Sequence, residues 1–103
     1  MKKRELGNFF NPNSIAVVGA SGNSEKVGGI LMKKLLSFKG EVIPINPHHD
    51  EIFGKKSYAS VRNYLGKIDL VVIAVPFKFV KKVLEDCGKK RVKNVIVISS
   101  GLI

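Results

Sequence analysis

Residues 15–22 read Ile15-Ala-Val-Val-Gly-Ala-Ser-Gly22, an apolar, β-rich run that passes directly into a glycine-rich turn. The sequence Lys26-Val-Gly-Gly29 and an amphipathic run follow, so the pattern predicts a strand that leads through the turn to a helix N-terminus. Glycine at positions 19 and 22 permits backbone angles and close approaches that a Cβ would block. Main-chain N–H groups can then face an anion, where the helix dipole also favours negative charge. A nucleotide-type ligand is therefore the first hypothesis.

Strand and helix patterns alternate along the rest of the chain. Residues 41–46, 69–75 and 94–99 are short apolar runs that predict three more strands. Residues 51–60 carry turn chemistry, with Ser60 as the predicted N-cap of a brief helix. Two apolar stripes at helical spacing complete the pattern: Val27, Ile30, Leu31, Leu35, Phe38, and Phe79, Val80, Val83, Leu84, Cys87, the second ended by Gly88.

This alternation predicts an α/β fold, a Rossmann-like, doubly wound, three-layer parallel sheet of four strands. The expected strand order is 3-2-1-4, with the ligand at the switch point between strands one and four. The carboxyl ends of parallel strands meet at one edge of the sheet. The segments that follow the predicted strands should converge there, and these are residues 19–22, 46–49, 75–78 and 99–101.

Length and composition predict a single domain over residues 1–103. The chain has 103 residues, of which 45% are hydrophobic, enough for one modest core. No apolar run approaches the roughly 20 residues that cross a bilayer, and no signal-peptide pattern follows the basic start, so we expect a soluble cytoplasmic protein without membrane contact. The single cysteine, Cys87, lies in a helical apolar stripe, which predicts a buried, inert thiol.

The chain is strongly basic, with 18 Lys and Arg against 8 Asp and Glu and a formal charge of +10. No aromatic residues alternate with the paired lysines, which argues against nucleic acid as a partner and for solvated faces that attract a polyanion. His48 and His49 are adjacent and lack cysteine or carboxylate ligands at suitable spacing, so no metal site is predicted, although Asp50 is near. No Ser-His-Asp arrangement can be supported, and no catalytic residue is predicted.

A dinucleotide-binding domain is the nearest competing interpretation. Its G-x-G-x-x-G fingerprint would require glycine at Ser21, and Asn46-Pro47 replaces the acidic residue that binds the ribose after strand two. Both departures argue against NAD. The NADP alternative stays open, with Lys55 or Lys56 as a candidate partner for its phosphate.

The segments named above, together with several others, resemble a known family in their order and spacing. They are Phe9-Phe10-Asn11-Pro12-x-Ser14 through Ser21, Lys26-Val27-Gly28, Ile45-Asn46-Pro47, Glu51-Ile52-x-Gly54, Tyr58, Asp69 through Pro76, and Val97-Ile98-Ser99-x-Gly101. Together they resemble the CoA-binding domain found at the N-terminus of nucleoside-diphosphate-forming acyl-CoA synthetases, such as ADP-forming acetate-CoA ligase, and in the α subunit of succinyl-CoA synthetase.

The resemblance implies a set of residues that bind coenzyme A. The turn would wrap the phosphates, with the Ser21 hydroxyl as a donor and Lys26 supplying charge, while the loop after strand two would lie along the nucleotide. His48 occupies a position that is often lysine in the family, which predicts tighter binding below about pH 6.5, where imidazole groups gain a proton. The full implied set is Gly19, Ala20, Ser21, Gly22, Lys26, Asn46, Pro47, His48, Val75, Pro76, Ser99, Ser100 and Gly101.

The resemblance also implies that this chain is one part of a larger ligase. The related synthetases pass a phosphoryl group through a histidine in another domain and use a separate nucleotide-binding domain, so we expect no activity from these residues alone. A fragment of a longer synthetase is expected, with the remaining domains or subunit as partner and an exposed fourth strand open to homodimer formation. The alternatives are a non-enzymatic regulatory domain that binds NAD(H) or NADP, and a scaffold that has lost binding through truncation.

Overall fold

The computed structural model describes residues 10–98 and is built around parallel strands and two α-helices. In chain order the main elements are β1 (Ser14–Val18), α1 (Val27–Lys34), β2 (Glu41–Ile45), β3 (Glu51–Ile52), β4 (Lys55–Lys56), β5 (Leu70–Ile73), α2 (Phe77–Lys90) and β6 (Val95–Val97). Two 3₁₀ turns are added, at Leu35–Ser37 after α1 and at Val61–Asn63 between β4 and β5. None of the helices within this range is long and apolar enough to cross a bilayer.

The main sheet has four parallel strands in the order β2-β1-β5-β6, whereas β3 and β4 form a separate antiparallel pair. The predicted α/β, doubly wound, three-layer parallel sheet is confirmed. The predicted order 3-2-1-4 is wrong, because the third predicted strand lies beside the first and the observed order is 2-1-3-4. The switch point consequently lies between β1 and β5 rather than between the first and fourth strands.

The course of the connection between β2 and β5 explains this order. α1 packs on one face of the sheet, where Met32 joins Val17 and Val42 in the core. The connection ends in the second 3₁₀ turn on the opposite face, where Val61 packs in one cluster with Val80 of α2. Because crossovers between parallel strands are right-handed, a connection on that opposite face carries the chain back past β1 to its other side.

Each helix buries a face that differs in part from the predicted stripe. α1 buries Gly28, Gly29 and Met32 but leaves Val27 and Ile30 more than 40% exposed. The two glycines let the backbone of α1 lie directly against the backbone at Gly19 and Asn23. The buried face of the helix therefore lies away from the larger side chains of Val27 and Ile30. α2 buries Val80 and Cys87 as predicted, but Phe79 and Leu84 are exposed, and the helix passes Gly88 to end at Lys90 before Arg91 at φ 65°.

Buried polar groups tie the strands together at the amino-terminal edge of the sheet. The Ser14 hydroxyl accepts a hydrogen bond from the Asp69 N–H at 2.8 Å and donates one to the Lys67 carbonyl at 2.9 Å. The Asp69 carboxylate accepts the Asn13 N–H at 2.8 Å, and the Asn94 amide donates to the Asp69 carbonyl at 3.1 Å. This network fixes the starts of β1, β5 and β6 relative to one another. Pairing of a second copy along the outer side of β6 stays a prediction.

Candidate functional site

The glycine turn, defined here as residues 19–22, begins in a conformation that requires glycine. Gly19 has φ +89°, and a Cβ there would overlap the carbonyl group of Ala74. Its N–H donates to the Ile45 carbonyl at 3.0 Å, and the Ala20 N–H donates to the same oxygen at 3.3 Å. The first two N–H groups of the turn therefore hold β2 and are not directed at a ligand.

Gly22 lacks the special backbone angle and the close approach that the sequence predicted for it. Its φ lies outside the left-handed region, and an added Cβ would have no atom within 4 Å. The close approaches lie one turn later, because a Cβ on Gly28 would overlap the Gly19 carbonyl and one on Gly29 would overlap the Asn23 carbonyl. The close approach predicted for residue 22 is thus wrong, and the helix glycines make it instead.

Ser21 and Lys26 lie on the helix side of the turn. The Ser21 hydroxyl accepts the Asn23 N–H at 3.0 Å, which leaves its own proton for donation to a ligand. Among residues 10–98, the Ser21 and Gly22 N–H groups have no hydrogen-bond acceptor. Lys26 is exposed and precedes the first residue of α1. These groups can face an anion at the helix N-terminus, whereas the N–H groups of Gly19 and Ala20 cannot.

A cleft of about 720 Å³ opens beside the glycine turn, at the carboxyl edge of the sheet. It lies where β1, β2 and β5 end and is closed on one side by the second 3₁₀ turn and α2. Ala20, Ser21, Gly22 and Lys26 do not line it. Ser99, Ser100 and Gly101 lie outside the described residues. The predicted residues that the structure brings together around the cleft are Gly19, Asn46, Pro47, His48, Val75 and Pro76.

Asn46 joins the loop after β2 to the glycine turn. Its Nδ2 donates to the Ala20 carbonyl at 2.8 Å, and its Oδ1 accepts the His48 N–H at 2.8 Å. A carboxylate could accept the second bond but could not donate the first. The residue that replaces the acidic ribose partner therefore has a structural reason to be an amide. Lys55 and Lys56, the possible phosphate partners of NADP, lie on β4 and do not line the cleft.

Half of the residues that line the cleft carried a pattern for local structure at most and none for a binding site. The prediction of Ser60 as an N-cap is confirmed, because its hydroxyl accepts the Arg62 N–H at 3.2 Å. This cap and the helical stripe that contains Phe79 and Val83 predicted helices in this wall but no binding site, and the paired lysines of α2 were interpreted as solvated surface. The residues in question are Ala59, Ser60, Arg62, Asn63, Phe79, Lys82, Val83 and Asp86.

Asp86 is the buried charged group of the cleft. One carboxylate oxygen lies 3.1 Å from the Lys82 ammonium, and the other accepts the Ser60 hydroxyl at 3.2 Å. Its neighbour Cys87 is buried, as predicted, and burial together with the Asp86 charge raises the pKa of the Cys87 thiol to about 11. Such a thiol is not a nucleophile near neutral pH. Residues 10–98 contain no group of three His, Cys, Asp or Glu side chains that could hold a metal ion.

Residues 13–102 match the sequence profile of the CoA binding domain. This chain belongs to the CoA binding domain family. The domain is 50% identical over 97 residues to the ADP-forming acetate-CoA ligase of Methanocaldococcus jannaschii, a match that covers 94% of this chain. It is 46% identical over 94 residues, or 90% of this chain, to the ADP-forming 4-hydroxybutyrate-CoA ligase of Nitrosopumilus maritimus.

A solved structure also has the fold of this CoA binding domain. The dinucleotide forming acetyl-coenzyme A synthetase 1 of Ca. Korarchaeum cryptofilum, solved in complex with phosphate and ADP, superimposes with a TM-score of 0.90. It is 47% identical in sequence, and the match covers 94% of the domain and 21% of that chain. The domain spans only 14% of the length of each of the two ligases above. The shared region is thus a small part of each of these proteins.

Proposed function

We propose that this domain holds coenzyme A in the cleft, as the CoA-binding module of an ADP-forming acyl-CoA synthetase of the acetate-CoA ligase type. The observation that carries the proposal is the position of the cleft. It lies at the switch point between β1 and β5, directly beside a glycine turn at a helix N-terminus. Ligands of open α/β sheets bind outside the carboxyl ends of the strands at such a point.

The glycine turn and the cleft suit the two chemically different halves of coenzyme A, its phosphates and its pantetheine arm. Its 3′-phosphate and diphosphate together carry roughly four negative charges, if a phosphate monoester contributes about −1.5 to −2. An anion-binding edge for these phosphates is formed by the N–H groups of Ser21 and Gly22, the Ser21 hydroxyl and the positive charge of Lys26. Val75 and Pro76 give the cleft an apolar wall for the pantetheine arm.

We assign this chain a role in binding and none in selecting or activating the acyl group. The two ligases above share the domain, although one is named for acetate and the other for 4-hydroxybutyrate. Phosphoryl transfer would be carried out by the remaining domains or subunit of the synthetase, to which residues 1–103 contribute one CoA-binding domain. We place that synthetase in the cytoplasm.

Isothermal titration of the purified chain with coenzyme A tests the proposal, with dephospho-CoA, NADH and ADP as comparison ligands. We expect coenzyme A to bind more tightly than the other three, and we expect its affinity to fall as salt screens the phosphates. A preference for NADH would instead indicate the regulatory dinucleotide-binding domain. The absence of binding to all four ligands would indicate a scaffold without a working site.

A further inference from the structure

One wall of the cleft carries a permanent positive charge that no motif of the sequence identified. Arg62 lies in the second 3₁₀ turn, Val61–Asn63, and is one of the residues that line the cleft. An arginine side chain stays charged at every physiological pH and presents a planar fork of donors, which matches the geometry of a phosphate. Its position therefore matters for a ligand that carries several phosphates.

Two contacts fix the backbone of Arg62 against α2. The Arg62 N–H donates to the Ser60 hydroxyl at 3.2 Å, and the Ser60 hydroxyl in turn donates to the Asp86 carboxylate, also at 3.2 Å. Asp86 is buried on α2, which gives this chain of hydrogen bonds a rigid end. The Ser60 side chain, which caps the 3₁₀ turn, thus holds the turn against α2 on the same side of the cleft.

The charges around the cleft are unevenly compensated. Lys82 also lines the cleft, but its ammonium group lies 3.1 Å from the Asp86 carboxylate, so this pair is close to neutral. No carboxylate within residues 10–98 lies within 4.0 Å of the Arg62 guanidinium. Arg62 therefore provides the uncompensated permanent charge of this wall. An anionic group of a ligand in the cleft could therefore form an ion pair with Arg62.

We propose that Arg62 binds a phosphoryl group of the ligand and that Ser60 and Asp86 are positioning residues that act through it. The inference rests on the proposed function, since coenzyme A supplies the phosphates. Two of its groups offer the same chemistry, the 3′-phosphate and the diphosphate. Dephospho-CoA lacks only the first of these, so the two ligands distinguish between them.

Titration of Arg62→Gln with coenzyme A and with dephospho-CoA tests the proposal. Because a hydrogen bond to a charged group is involved, we expect the affinity for coenzyme A to fall about tenfold. A loss confined to coenzyme A assigns the contact to the 3′-phosphate, and an equal loss for both ligands assigns it to the diphosphate. The matched control is Arg91→Gln, which removes the same charge at the far end of α2 and should leave both affinities unchanged.

Two outcomes would overturn the proposal, and they differ from one another. Unchanged affinity of Arg62→Gln for both ligands would exclude the Arg62 contact while leaving the proposed function intact. Failure of the wild-type domain to bind coenzyme A would overturn the proposed function and this inference with it. Arg62 is exposed, so the variant should fold, which circular dichroism will verify.

The positioning role has its own readout in a double-mutant cycle. Ser60→Ala removes the hydroxyl that holds the Arg62 N–H, and we expect a few-fold loss of affinity for coenzyme A. Ser60→Thr keeps a hydroxyl and should restore the affinity. In the Arg62→Gln background, Ser60→Ala should have no further effect. An equal loss in both backgrounds would show that Ser60 does not act through Arg62.

Discussion

Gly28 of α1 lies so close to the carbonyl group of Gly19 that a Cβ on Gly28 would overlap the oxygen. Backbone therefore meets backbone between the helix and the glycine turn, with no side chain between them. Because the Gly19 N–H also binds the Ile45 carbonyl, the turn is held from both sides. Its exposed N–H groups are fixed in space before any ligand arrives.

Replacement of Gly28 by alanine should destabilise the domain. The added methyl group must push α1 away from the turn, and overpacking of this kind costs about 1–3 kcal/mol of the free energy of unfolding. Urea denaturation followed by circular dichroism measures this loss. Gly22→Ala is the matched control, since its Cβ would have nothing within 4 Å, and its stability should stay within about 0.5 kcal/mol of wild type. Equal effects of the two substitutions would contradict this packing.

Lys26→Gln should lower the affinity for coenzyme A, because it removes a charge beside the N–H groups of the glycine turn. The side chain is exposed, so we expect a loss of about two- to fivefold that shrinks at high salt. Titration at two salt concentrations measures both effects. Lys33→Gln removes the same charge in the last turn of the same helix and should leave the affinity unchanged. A similar loss in both variants would mean that only net charge matters.

His48 lines the cleft, so a permanent positive charge at this position should strengthen the binding of the CoA phosphates. His48→Lys should bind coenzyme A about two- to fivefold more tightly than wild type, and the gain should shrink at high salt. Isothermal titration at two salt concentrations measures both effects. His49 does not line the cleft, so His49→Lys adds the same charge as a matched control and should leave the affinity unchanged. Equal affinities of His48→Lys and wild type would contradict this prediction.

Cys87 should be protected from alkylation in the folded domain. Its pKa rises from 9.0 to about 11, mainly through burial, so the reactive thiolate is scarce at pH 8. Iodoacetamide should label it slowly in buffer and rapidly in denaturing urea. The pKa of the thiol is higher in the folded state than in the unfolded state. The neutral thiol therefore contributes to the free energy of unfolding fully below pH 9, and this contribution is lost as the pH rises towards 11. Cys87→Ala should lose less stability over that range than wild type does.

Local sequence patterns predicted those parts of the fold that depend on neighbouring residues. The apolar run at 15–18 and the N-cap at Ser60 were confirmed because strand propensity and capping are properties of a few adjacent residues. The strand order was not predictable in this way. It depends on which face of the sheet the 46–69 connection crosses, and periodicity carries no information about that choice.

The candidate site was also predictable only where it depends on neighbouring residues. Glycine at position 19 was predicted from the motif, but the close contact of Gly28 arises only when the helix lies on the turn. Arg62 had no signal at all, because an exposed arginine in a loop looks like solvated surface. It becomes a candidate ligand contact only after the 3₁₀ turn is placed against α2.

The hydrogen bonds among Ser14, Asp69 and Asn94 lie at the edge of the sheet opposite the cleft. The polar contacts that set strand register are therefore separated by the length of the strands from the groups that would meet a ligand. Substitutions in the loops around the cleft can change specificity while this anchorage remains untouched. A designer could regraft those loops to accept a different cofactor and still start from a sheet whose alignment is already secured.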